Sequence, residues 1–244
     1  MITRHATGFL TRESARPARR KAADWAALLA IGAVQWPWLL RSLDGGGAAE
    51  REALLRRLRL PDEALPTLGS WKADAGFLRL VIDHIFSRRP RLVVEFGAGA
   101  TTLIAARALE LVGGGRLVSF DQHSDFAAAT RRRLAEYGLH AEIRAVPLAP
   151  LAGRPGLWYD HGPLPRGIDL MLVDGPPWTV HPLTRDGASS LFGKLAPGGT
   201  IMLDDAARPG ERLVARRWRR DWPGIDFRFV RAGSKGTLLG TRRA

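Results

Sequence analysis

Arg91-Leu-Val-Val-Glu-Phe-Gly-Ala-Gly-Ala-Thr-Thr102 reads as a buried strand, a glycine turn and the first turn of a helix. Leu92 to Phe96 is a short apolar run with β-branched residues, bounded by Pro90 and Gly97, which predicts a strand. Gly97 and Gly99 allow a sharp turn and let a ligand lie against bare backbone. Thr101 and Thr102 are expected to cap a helix whose apolar face runs through Leu103, Ile104, Ala106 and Leu109. A helix N-terminus beside a glycine turn presents free N–H groups, which suits a nucleotide-like ligand.

Downstream the pattern repeats. Strands are expected at Arg116 to Phe120, Ala141 to Val146, Ile168 to Val173 and Thr200 to Leu203, with helices at 125–137, 183–195 and 211–222. Two further strands, Asp226 to Val230 and Thr237 to Leu239, flank a turn at Gly233-Ser234. Alternating strands and helices predict an α/β fold: a doubly wound, mostly parallel sheet covered on both faces. The closing pair, joined without a helix, predicts an antiparallel hairpin at one edge.

Upstream, Ala73 to Phe86 is expected as the domain's first helix, with Phe77, Leu80, Val81 and Ile85 on one side. Pro61 to Gly69 reads as a linker, and Ala48 to Leu60 as an amphipathic helix. Ala22 to Leu40 is an apolar segment carrying Trp25, Trp36 and Trp38 but interrupted by Asp24, Gln35 and Pro37. It is marginal for spanning a bilayer, and suits a helix packed on the domain, on a second subunit or on a membrane surface. The expected division is a basic N-terminal tail and helical extension over 1–69, then the α/β domain over 70–244.

The 244 residues carry 45% hydrophobic and 25% charged side chains, ordinary for a globular chain with a sizeable core. Cysteine is absent, which excludes disulfides, thiolate metal sites and a cysteine nucleophile, and fits a cytoplasmic location. The net charge of +13 invites acidic partners such as nucleic acid or anionic membrane. Only four residues are lysine (21, 72, 194 and 235), so arginine-rich composition explains the same charge without any polyanion.

Ligands of open parallel sheets sit at the carboxyl ends of the strands. The residues just past those ends are Gly97-Ala98-Gly99, Asp121-Gln122, Val146-Pro147, Asp174-Gly175 and Asp204-Asp205. One carboxylate there is an ordinary turn or helix cap; four on one rim point to a site. Asp121 can accept hydrogen bonds from both hydroxyls of a ribose. The turn is Gly97-x-Gly99-x-x-Thr102, without the third glycine of dinucleotide sites, which argues against a dehydrogenase.

Val94-Glu-Phe-Gly-Ala-Gly99, Asp121, Val173-Asp-Gly-Pro-Pro177 and Pro197-Gly-Gly199 together resemble the class I S-adenosylmethionine-dependent methyltransferases over roughly Trp71 to Gly240. The resemblance implies a seven-stranded sheet of order 3-2-1-4-5-7-6 with the last strand antiparallel. It places Glu95 and the turn of Gly97, Ala98, Gly99, Thr101 and Thr102 by the methionine end of the cofactor, Asp121 on its ribose, and Gln122 and Val146 beside its adenine. Asp174, Asp204 and Asp205 are similar in placement to the metal ligands of the catechol-O-methyltransferase-like branch, which would add Mg2+. That branch has Asp-Asn after its fifth strand and a lysine base after its fourth. Here Asp204-Asp205 and Pro177-Trp178 stand there instead. The alternative is that Asp174 orients cofactor or substrate while Asp204-Asp205 cap their loop.

Asp174-Gly-Pro-Pro-Trp178 also echoes the Asp-Pro-Pro-aromatic loop of amino methyltransferases of nucleic acid bases, but Gly175 breaks that spacing. Acceptor contacts are expected from rim loops. Trp158, Tyr159 and Trp178 can stack on a ring, and Arg208, with Arg185 and Arg212, can clamp an anion. His161 or His181 is a candidate base, and Asp174, His181 and Asp205 are the expected catalytic set. The reading is methyl transfer by direct displacement to a hydroxyl of a small-molecule or glycan-like acceptor. Nucleic acid methylation and a non-catalytic binding protein of the same fold are the alternatives. A peripheral membrane contact through residues 22–40 and a homodimer complete the expected partners.

Overall fold

The computed structural model describes residues 22–65, 68–69 and 73–243. The basic tail, and residues 70–72 where the main domain was expected to begin, lie outside the described residues. The chain runs α1 (Ala22–Arg41), α2 (Ala48–Leu58), α3 (Ala75–Arg88), β1 (Leu92–Phe96), α4 (Ala100–Leu111), β2 (Arg116–Asp121), α5 (Ser124–Glu136) and β3 (Glu142–Ala145). It continues through β4 (Leu148–Pro150), β5 (Leu157–Tyr159), β6 (Ile168–Val173), β7 (Leu195–Leu203), α6 (Pro209–Asp221), β8 (Ile225–Val230) and β9 (Thr237–Arg242).

The main sheet has the order β3-β2-β1-β6-β7-β9-β8. This is the expected 3-2-1-4-5-7-6 order once the separate β4–β5 hairpin is set aside. β9 runs antiparallel to both neighbours, and the five strands from β3 to β7 are parallel. Register aligns the carboxyl ends. Phe96 pairs with Phe120 on one side and Val173 on the other, and Val173 pairs with Leu203. The loops after β1, β2, β6 and β7 therefore open on one rim.

Alternating side chains of the buried strands feed two cores, one on each sheet face. Val93, Leu170, Leu172 and Met202 join α2, α3, α4 and α5. Val94, Phe96, Phe120, Val173 and Leu203 join β5, α6 and the segment before β7. Leu54, Leu55 and Leu58 of α2 share the first core with Phe77 and Ile85 of α3, so this part of the extension packs into the domain. The expected linker is likewise folded in: Asp62–Ala64 form a 3-10 turn, and Ala64, Leu65 and Leu68 are buried.

Two local details go beyond the expectations. The helix expected at 183–195 is present as a 3-10 helix, Thr184–Lys194. Ser189 and Ser190 hydroxyls donate to the carbonyls of Asp186 and Gly187 three residues back, and a Cβ on Gly187 would sit 2.6 Å from the Trp158 ring. Local serine bonds and close packing both favour the tighter helix. The β4–β5 hairpin lies where a loop was expected, pairing Leu148 with Tyr159 and Pro150 with Leu157.

One tether closes the architecture. Asp74, almost fully buried, caps α3 by accepting from Phe77 N at 2.8 Å through Oδ1. Its Oδ2 accepts from Ser234 N at 2.9 Å and Lys235 N at 3.2 Å, in the β8–β9 turn. Asp74→Ala removes a cap and leaves the buried N–H of Lys235 and the part-buried N–H of Ser234 without this acceptor. It should cost about 3 kcal/mol of unfolding free energy, read from denaturant titration. A loss under about 0.5 kcal/mol would show that the tether contributes nothing.

Candidate functional site

The glycine turn is built as the sequence suggests, with added reasons for its residues. Gly97 has φ 102°, and a Cβ there would lie 2.8 Å from Gly175 N. It is glycine both for its left-handed backbone and because the loops after β1 and β6 touch at this point. Around Gly99 the space a Cβ would enter is open, leaving the start of α4 accessible. Thr102 caps backwards: its Oγ1 accepts from Gly99 N at 2.9 Å and donates to Glu95 Oε2 at 2.6 Å. Thr101 is buried beside it in the first turn of α4.

Glu95 lies fully buried on β1. Its Oε2 takes hydroxyl bonds from Thr102 and from Ser119 of β2, both 2.6 Å. Its Oε1 is buried without a hydrogen-bond partner among the described residues. Burial pushes its carboxyl up to about 8, against the lowering effect of the two hydroxyls. A buried carboxylate oxygen beside open backbone fits a donor, most favourably a cationic one.

Asp121 ends β2 and ties the next loop to the turn. Its Oδ2 accepts from Ala98 N at 3.1 Å and its Oδ1 from His123 N at 2.7 Å. Burial raises it to about 6, with backbone donors pulling the other way. Gln122 follows, accepting from Tyr159 Oη at 2.9 Å, and Val146 stands half-buried past β3.

The three rim aspartates do come together: one carboxylate oxygen from each of Asp174, Asp204 and Asp205 lies within 4.8 Å of the others. They are not alone. Arg185 pairs with Asp205 Oδ2 at 3.1 Å and Asp174 Oδ1 at 3.5 Å, and donates to the carbonyls of Asp174, Asp204 and Pro176. Arg208 meets Asp205 Oδ1 at 2.6 Å, and Lys235 Nζ lies 3.6 Å from the same oxygen. Glu211 is 3.8 Å from Arg185. For Asp205, burial acts to raise the carboxyl, but Arg208, Lys235 and Arg185 outweigh it and hold it well below the usual range. Burial, then Asp205 and Asp174, push Asp204 far up, and neither of its oxygens has a hydrogen-bond partner among the described residues. Burial also raises Asp174, opposed by Arg185.

Several expected roles need correction. Trp158 and Tyr159 are core residues, their rings 4.8 and 5.4 Å from that of Phe96, and so offer no open face for stacking. Arg208 is a buried counter-charge to Asp205 and is not placed to clamp a substrate anion. Asp205, held ionised by three cations, is a poor proton acceptor. His181 turns away from a base role: its Nδ1 accepts from Leu183 N at 3.1 Å, and its Nε2 lies 3.8 Å from Asp24 of α1. Trp178 is half-buried, its ring facing Gly32 of α1. Lys235 is the site residue that sequence reasoning missed. It comes from the β8–β9 turn, brought to the rim by the sheet order, the Asp74 tether and hydrogen bonds from Ala206 N and Ala207 N to the carbonyls of Gly236 and Lys235.

Residues 94–206 match a family model described as a methyltransferase domain. No curated protein matches the chain. A solved O-methyltransferase from Bacillus cereus, in complex with S-adenosylhomocysteine, is 16% identical with a TM-score of 0.56, over 88% of this chain and 100% of that one. A methyltransferase from Geobacter sulfurreducens is 23% identical with a TM-score of 0.52, over 80% and 87%. A methyltransferase from Podospora anserina, bound to S-adenosylhomocysteine, is 15% identical with a TM-score of 0.51, over 88% and 96%. At these identities the likeness is one of fold, and it extends well beyond the matched segment. Residues 94–206 thus resemble a methyltransferase domain, and the chain around them has the class I S-adenosylmethionine-dependent methyltransferase fold.

Proposed function

We propose that this protein transfers a methyl group from S-adenosylmethionine to a hydroxyl of a small-molecule or glycan-like acceptor. The observation that carries the cofactor assignment is the unpartnered Oε1 of Glu95 beside the open backbone at Gly99. These features suit an amino acid ammonium group. Asp121 keeps lone pairs for ribose hydroxyls beyond its two backbone bonds, and Gln122 and Val146 are its neighbours for an adenine. The cofactor, when bound, supplies an electrophilic methyl group and leaves as a neutral sulfide, so no oxyanion pocket is required.

For the acceptor proton we assign Asp174. It is the least buried of the three aspartates, and burial leaves it more basic than an ordinary carboxylate. Arg185 fixes its position through both carbonyl and carboxylate. The chain's contribution is then orientation and proton acceptance at one carboxylate oxygen.

The residues present do not fit Mg2+. The carboxylates of Asp174, Asp205 and Glu211 already face Arg185, Arg208 and Lys235. A divalent ion would compete with a guanidinium for both Asp174 and Asp205. The rim therefore carries its positive charge on side chains, and no step is assigned to a metal. Nucleic acid is the weaker acceptor reading, because the Asp-Gly-Pro-Pro loop differs from the amino methyltransferase spacing.

Calorimetric titration with S-adenosylhomocysteine tests the cofactor assignment, and no measurable binding would end it. Glu95→Gln keeps the shape but cannot ionise to meet an ammonium group, and should weaken that binding by about ten- to a hundredfold. The same variant has a pH signature. The ordinary Glu value is 4.5 and the folded one about 8, so the folded state holds a proton that the unfolded chain has lost. Stability from this group therefore falls as pH rises through that window, and the Gln variant should lack that slope in thermal melts. Asp174→Asn should lower turnover by about a hundredfold or more with cofactor affinity changed little; unaltered turnover would remove its role. Saturating EDTA should leave transfer intact, whereas activity restored only by added Mg2+ would show that the metal reading was dismissed wrongly.

A further inference from the structure

Helix α1 buries a glutamine and turns large apolar side chains outward. Asp24 and Arg41 are its only charged residues. Asp24 turns inward toward His181, and Gln35 is fully buried. Past the helix end, Ser42 is also buried. The outward positions are different. Leu29, Trp36 and Leu40, spaced i, i+7 and i+11, form one stripe, and Leu43 follows in the next turn. Their exposures range from 54% to 67%, and Val34 is 59% exposed elsewhere on the helix. A helix packed on a domain and facing water has the opposite polarity. A continuous outward apolar surface marks an interaction site.

The chemistry just before the helix selects its partner. Residues 12–21 carry Arg12, Arg16, Arg19, Arg20 and Lys21 against the single acid Glu13. A run of cations joined to an exposed apolar helix with a tryptophan is the combination that binds the headgroup layer of an anionic bilayer. No helix among the described residues is long and apolar enough to cross a membrane, so α1 would lie in the surface plane. We propose that α1 is a membrane-surface anchor for vesicles or cell membranes rich in anionic lipid. Because Trp178 faces Gly32 and His181 faces Asp24 on the inner side of α1, the anchor also holds the loop after β6. Seating α1 on lipid would bring that loop to the membrane surface, without depending on which acceptor is methylated.

Co-sedimentation of the full chain with phosphatidylcholine vesicles, with and without about one-third phosphatidylglycerol, tests the anchor. Binding should require the anionic lipid and weaken as salt is raised, since surface attraction is screened over about 10 Å at 0.1 M. The triple variant Leu29→Ser, Trp36→Ser, Leu40→Ser alters exposed positions only, and should bind anionic vesicles at least about tenfold more weakly while its thermal midpoint and S-adenosylhomocysteine affinity stay close to wild type. Failure of the wild-type chain to sediment with anionic vesicles would overturn the proposal. So would equal binding by the triple variant, which would assign the attraction to the basic residues alone. A dimer in light scattering that dissociates on Trp36→Ser, with no vesicle binding, would give the face to a second copy instead.

Discussion

The guanidinium of Arg185 is buried among backbone carbonyls and carboxylates at the meeting point of the β6 and β7 loops. It donates to carbonyls of Asp174, Pro176 and Asp204, so the loops after β6 and β7 are both fixed by one rigid planar group. Without it, those carbonyls and the carboxylates of Asp174 and Asp205 would face each other across a dry site. Removing one partner of such a set leaves buried charge uncompensated, and so the group acts as a structural centre before it acts in any chemistry.

The same arrangement explains how a rim so rich in acids remains stable. Asp204 contributes no charge when protonated, Asp205 is held ionised by its cations, and Asp174 lies between these extremes. Neighbouring groups of one residue type are thereby pushed in different directions by burial and by partner. Glu95, on the other side of the contact between Gly97 and Gly175, is set apart in the same way, by burial with only hydroxyl partners. Acid positions on this rim are thus not interchangeable.

The sheet was legible because its central strands are apolar runs punctuated by glycine and proline, and because the rim aspartates follow directly on such runs. Glu95, Gly97, Gly99 and Asp121 were readable for that reason: their roles depend on local position. What could not be read depends on partners distant in sequence. Trp158 and Tyr159 look like exposed loop aromatics until β5 is seen packed on Phe96. Arg208 and Arg185 look like surface arginines until Asp205 is placed between them. The 3-10 helix at Thr184–Lys194 shows apolar spacing compatible with either helix, and serine bonds with a tight glycine contact decide between them. Asp74 gave no signal, since its second set of partners is 160 residues away.

That separation bears on how the chain is made. Asp74 can cap α3 as soon as Phe77 has left the ribosome, but its other oxygen has nothing to hold until residues 234 and 235 emerge. The core around α3 and β1 can collapse early from local contacts. The β8–β9 turn, and with it the Lys235 charge, arrives last and must close a very long loop. Until then, Asp205 lacks one of its three cations. A nascent chain would therefore hold its glycine turn before its acid rim has all its cations, leaving one end of the sheet electrostatically unfinished until the last strands arrive.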